Sequence, residues 1–201
     1  MSVFLHVGCG HKRKDRAGPG FQGAQWQELR FDIDPAVEPD LLGSMTDMSA
    51  VHDESVDAVF SSHNIEHLYA HEVPIALREF HRILRPQGYA VITCPDLQSV
   101  ARLVADGRLT EAAYQSPAGP IAPIDILYGL RKAVAAGNLH MAHRCGFTIK
   151  VLVDALKEAG FASVIGRARP KSFELWAVAT KLQAGEERLR DLAARHMPPP
   201  Q

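Results

Sequence analysis

Residues 61–68, SSHNIEHL, contain the spacing His-x-x-Glu-His in His63, Glu66 and His67. Two imidazoles and a carboxylate in that order can ligate zinc, as in one group of metallopeptidases. Such a site needs both imidazoles on one stable helix face and a further ligand from elsewhere. Here the motif begins where a strand-like run ends, and the clearest helical pattern starts only near Pro74. The reading therefore assigns no metal. Glu66 and His67 are expected to make structural hydrogen bonds, with His63 facing the crevice beyond the strand. Further along, LHMAHRCGF brings His140, His143 and Cys145 together. A Cys/His cluster can bind metal, but side chains of a lid, packing or touching substrate, are the preferred reading. The run Lys12 to Lys14 would attract an anion or simply line a solvated loop.

Three other groups stand where apolar runs stop. Gly8, Cys9 and Gly10 close the first run, and glycines there let a ligand approach the backbone with no Cβ in the way. Asp32 closes the second run, 22 residues after Gly10. A carboxylate there can accept from both ribose hydroxyls of a nucleoside. Asp34 would point the same way only in an extended chain, and Pro35 suggests a turn. Asp47 and Met48 follow the third run, where a polar residue beside an apolar one could meet the edge and face of an adenine ring. Met48 could equally be core.

These groups need a scaffold that gathers strand ends. SVFLHVGCG, WQELRFDIDP, PDLLGSM, SVDAVFSSHN and YAVITCPD read as five strands, the first apolar on both faces apart from His6, as in a buried parallel strand. VPIALREFHRILRPQG is an amphipathic helix with Ala76, Leu77, Phe80, Ile83 and Leu84 on one stripe, ended by Pro86 and Gly88. Asp96 and Thr148 are N-cap residues for two more helices, the second stopped by Gly160. FASVIGRA and SFELWAVATK read as a closing antiparallel pair. HKRKDRAGPGFQGAQ carries no helical period and reads as loop. Strands alternating with helices predict an α/β, Rossmann-like, doubly wound sheet of seven strands, mainly parallel with an antiparallel last strand. Its ligand crevice lies at the carboxyl ends of the strands.

The chain of 201 residues carries a formal net charge of −1 and is 46% hydrophobic. One domain spanning 1–201 is expected, with a lid insertion at 107–146 and a polar C-terminal helix and tail at 183–201. Near-neutral charge gives no general reason to expect nucleic acid or an anionic membrane as partner. No apolar run approaches ~18 residues. Three scattered cysteines fit a reducing cytoplasm better than a disulfide framework.

Taken in order, FLHVGCG, FDIDP, SVDAVFSSHNIEHL, FHRILRPQGYAVITCPD and LVDALKEAGF resemble the successive motifs of class I S-adenosylmethionine-dependent methyltransferases. The nearest likeness is to short predicted members related to the type 11 group. The resemblance spans residues 2–94 and resumes over 148–181. It implies that S-adenosyl-L-methionine is the cofactor. Gly8, Cys9 and Gly10 would lie against its methionine and ribose parts, and Asp32 would hold the ribose hydroxyls. Ile33, Asp47 and Met48 would meet the adenine, and Ser61 and His63 the methionyl end. The chain departs from the family in lacking a clear helix after the first strand. That also counts against a nicotinamide dinucleotide, whose pyrophosphate needs such a helix N-terminus. If the acceptor is a hydroxyl, His63, His140 and His143 are candidate bases, His63 first. The acceptor is expected to be a small molecule, and a homodimer is left open. The rival readings are a cofactor-binding protein without transfer activity and a zinc hydrolase built on His63, Glu66 and His67.

Overall fold

The computed structural model describes residues 1–199. A seven-stranded sheet forms its centre, in the spatial order β3-β2-β1-β4-β5-β9-β8. The strands are β1 (Ser2–Val7), β2 (Trp26–Asp32), β3 (Leu41–Leu42), β4 (Val56–Ser62), β5 (Leu84–Pro95), β8 (Ser163–Arg169) and β9 (Glu174–Thr180). β1 pairs in parallel with β2 and β4, β2 with β3, and β4 with β5, whereas β9 runs antiparallel to both β5 and β8. This is the doubly wound, mainly parallel arrangement that the sequence implies. The strand order reverses beside β1, which opens a crevice at the carboxyl ends of β1 and β4.

One face of the sheet is covered by α1 (Val73–Ile83) and α5 (Ile149–Glu158). α1 buries Val73, Ala76, Leu77, Phe80 and Ile83. Pro74 sits in its first turn, where a missing N–H costs nothing. The helix ends at Ile83, sooner than Pro86 suggests, because Leu84 is already extended and pairs with Val56. Thr148 caps α5 by accepting from Val151 N, and Gly160 follows it at φ +106°.

The other face has no helix between β1 and β2. Two 3-10 turns, Lys14–Arg16 and Pro19–Phe21, stand there. Phe4, Phe21, Trp26, Phe60, Tyr89 and Trp176 form the apolar layer, closed by Leu192, Ala193 and Met197. Leu192 and Ala193 belong to α6 (Glu186–His196), so that helix is polar on one side only. Lys14 is not a free surface cation. Its N–H donates to Glu28 Oε2 at 2.8 Å and its ammonium donates to Gly23 O and Trp26 O.

Between β5 and α5, Asp96 caps α2 (Leu97–Ala105) through Gln98 N. Residues 107–146 then hold a hairpin of β6 (Tyr114–Ser116) and β7 (Gly119–Ile121), α3 (Pro123–Tyr128) and α4 (Arg131–Ala135). Ile121 and Ile126 of this segment pack on Val100 of α2 in a small apolar cluster. No helix among the described residues is long and apolar enough to cross a membrane.

Candidate active site

Two left-handed glycines turn the chain at the end of β1, Gly8 at φ +61° and Gly10 at φ +53°. Gly8 is required twice over. The φ disfavours any residue with a Cβ, and a Cβ built there would lie 2.0 Å from Asn64 Oδ1. Asn64 fills that space because its amide donates to Val7 O at 2.9 Å and Ser62 O at 3.1 Å, tying β1 to β4. On the other side, Asp32 Oδ2 accepts from Gly10 N at 2.8 Å and Asp32 Oδ1 from Asp34 N at 3.0 Å. The glycine elbow and the acidic end of β2 are thus one unit. Arg30 braces it from below, its buried guanidinium donating to Gly10 O, Val37 O and Glu38 O.

An ionised carboxylate offers roughly four acceptor directions, and the backbone occupies two of Asp32's. A Cβ on Gly10 would meet nothing within 4 Å, so the crevice is open against that backbone. Ile33, 49% exposed, lies immediately beyond Asp32. Open backbone, spare acceptor capacity and an exposed apolar side chain in a row fit a nucleoside-bearing cofactor.

Other expected residues take different parts. Cys9 is buried, and burial pushes its thiol up to about 11, so only its backbone borders the elbow. Ser61 is fully buried, its Oγ near the Asn64 amide at 3.4 Å. Met48 does not face a ring. It is 0% exposed and packs with the core under α1, where Glu79 Oε2 accepts from its N–H at 2.9 Å. The reason is β3, which is two residues long and lets the chain turn inward through Ser44–Asp47. Asp47 is exposed and accepts from Ser49 N. Half-buried Ser44, Met45 and Thr46 border the turn instead.

The end of β4 continues into the motif. His63 adopts φ +55°, a left-handed conformation uncommon away from glycine, while its N–H pairs with Thr93 O at 2.9 Å. The imidazole lies between two carboxylates, Nδ1 at 3.5 Å from Glu66 Oε1 and Nε2 at 3.6 Å from Glu174 Oε1. Burial lowers its pKa, but the two carboxylates outweigh that and raise it to about 9. The two carboxylates thus favour the charged form of His63, the form that donates a proton rather than accepts one. Glu66 stands in the 3-10 turn Ile65–His67 and ties it to the insertion, its carbonyl accepting from Arg144 N at 2.8 Å. That contact sets His143 beside His67, ring centroids 4.8 Å apart. His140 is exposed in the turn Leu139–Met141. Asn64, Arg30 and Glu174 had no signal in the sequence, because each acts on a partner brought in by the sheet.

The strand order and the elbow give a doubly wound, Rossmann-like fold. Residues 5–92 match the family model of a methyltransferase domain, type 11 group. The matched segment runs from β1 through most of β5. Solved structures of S-adenosylmethionine-dependent methyltransferases share the fold. One from Thermotoga maritima is 16% identical over 90% of this chain and 83% of its own, with a TM-score of 0.58. One from Methanosarcina mazei is 16% identical over 90% and 93%, with a TM-score of 0.56. A TehB-like enzyme from Corynebacterium glutamicum is 18% identical over 90% and 80%, with a TM-score of 0.53. No functionally curated protein matches the sequence at a significant level.

Proposed function

We propose that this chain transfers a methyl group from S-adenosyl-L-methionine to a small-molecule acceptor. The observation that carries the reading is the elbow itself, in which Gly10 N and Asp32 are 2.8 Å apart at the strand-order reversal. Asp32 would accept from the ribose hydroxyls, and Ile33 would cover the base. The backbone of residues 8–10 would follow the ribose and methionine parts. Bound there, S-adenosylmethionine supplies a methyl group already activated on a sulfonium. The chain's own contribution is then placement, which alone can lower a barrier by about 7–11 kcal/mol. His63 takes part as a fixed cation between Glu66 and Glu174, a partner for an anionic group rather than a proton acceptor.

The insertion supports a small acceptor. It crosses above the end of β4, held to Glu66 O by Arg144 N and to His67 O by Arg144 Nη1, and serves as a lid. All three cysteines are free, which supports a reducing, cytoplasmic setting.

Calorimetry with S-adenosylhomocysteine tests the reading. The wild type should bind at one site. Asp32→Ala should lose about 1.5–3 kcal/mol of affinity, the usual worth of hydrogen bonds to a charged group. Unchanged affinity in a variant that remains folded would place the nucleoside elsewhere. A methyl-transfer screen against small hydroxyl and amine compounds then separates transfer from binding alone.

A further inference from the structure

Glu66 is 1% exposed, yet neither carboxylate oxygen has a hydrogen-bond donor. A buried carboxylate without donors is costly unless a cation meets it. The contact with His63, 3.5 Å away and limited to one oxygen, meets that need only in part. His67 and His143 stand beside Glu66, and one ligand atom from each of the three lies within 4.8 Å of the others.

The two imidazoles are set up alike. His67 Nδ1 lies 3.1 Å from Ala142 O, and His143 Nδ1 lies 2.7 Å from Ile126 O. A carbonyl only accepts, so each Nδ1 carries the proton and each Nε2 presents its lone pair. That is how the outer partners of metal-bound histidines fix their tautomer. A cavity of about 20 Å³ beside the cluster borders Glu66, His143 and Cys145; His67 does not line it, and Leu97, Val100 and Ile126 are among its other walls.

We propose that Glu66, His67 and His143 form a binding site for a divalent transition-metal ion such as zinc. Two imidazoles and one carboxylate make a donor set for borderline ions and leave coordination positions open. This differs from a zinc site read off the His-x-x-Glu-His spacing. His63 is turned between two carboxylates, and the third ligand comes from the insertion, 76 residues beyond His67. Bonds of about 2.0–2.1 Å at a tetrahedral ion put ligand atoms about 3.3 Å apart, so metal uptake draws the insertion down onto the turn Ile65–His67 that follows β4. If the methyl-transfer reading holds, on which this last point rests, the open positions select acceptors with a metal-binding hydroxyl.

The test uses the full chain, stripped with chelator and titrated with Zn²⁺ and Co²⁺ by calorimetry and absorption. One equivalent should bind with d–d bands for Co²⁺. Glu66→Gln and His143→Ala should each weaken binding at least tenfold and abolish those bands. His52→Ala, an exposed histidine outside the cluster, should change nothing. His143 is half-buried, so its variant keeps the question answerable if Glu66→Gln fails to fold. Absence of one-equivalent binding, or binding that survives both substitutions, overturns the proposal. S-adenosylhomocysteine titration of the same metal-free samples reports separately on the cofactor reading.

Discussion

Gly8 shows how one missing methyl group organises the site. It lets Asn64 reach Val7 O, which in turn joins the two strands that flank the crevice. Gly8→Ala should cost about 1–3 kcal/mol, combining a left-handed φ with a collision. Adding Asn64→Ala to Gly8→Ala removes the collision but keeps the backbone strain. The double variant should regain part of the stability in urea unfolding and little of the affinity for S-adenosylhomocysteine. At this scale the sequence was most informative about residues whose role is local. Gly10 and Asp32 follow from where apolar runs stop. Asn64 and Arg30 do not, because their hydrogen-bond partners are set by strand register rather than by spacing along the chain. Met48 misled for a related reason: polar next to apolar is also the pattern of a chain turning into its core.

Among the elements, the insertion depends on one acid. Asp125 accepts from Ala122 N at 3.0 Å and Arg131 N at 3.3 Å, and from the Arg131 side chain at 2.6 Å and 3.1 Å. It therefore clasps the start of α3 to the start of α4. Asp125→Ala leaves a buried N–H without an acceptor, a loss of about 1–3 kcal/mol. Amide exchange should accelerate across 113–135 and stay slow in β1, β4 and β5. The Arg131 guanidinium holds the Asp125 pKa below the usual carboxylate value. The clasp is thus complete above that value and weakens as pH falls through the depressed one. The strand and helix pattern was legible because buried parallel strands and amphipathic helices announce themselves by period. The β6–β7 hairpin was not, since strands of three residues, one of them Gly-Pro-Ile, are too short to show a period.

At the level of the whole molecule, α6 does what a helix after β1 would otherwise do. Its His196 is 1% exposed, with Nε2 2.8 Å from Tyr89 Oη and its ring 4.4 Å from that of Phe21. Gly20 makes room, since a Cβ there would stand 2.2 Å from His196 Nδ1. Burial, with Arg195 nearby, lowers the His196 pKa from 6.5 to about 4. Above pH 6.5 the group is neutral folded or unfolded and contributes no pH dependence. Below it the unfolded chain takes the proton first, so stability falls as pH drops toward 4. A shift of that size is worth on the order of 3 kcal/mol. Urea unfolding between pH 7 and pH 4 should show that slope, and His196→Phe should flatten it. The sequence indicated a helix at 186–196 but not its role, because charged residues dominate its text and only Leu192, Ala193 and His196 reach the sheet.

This swap has a bearing on synthesis. The ribosome delivers β1 well before α6, so the aromatic layer over Phe4, Phe21 and Trp26 stays uncovered until residues 192–197 clear the exit tunnel. A nascent chain arrested before that point should offer a sticky aromatic surface to holdase chaperones, and release of α6 should end the capture.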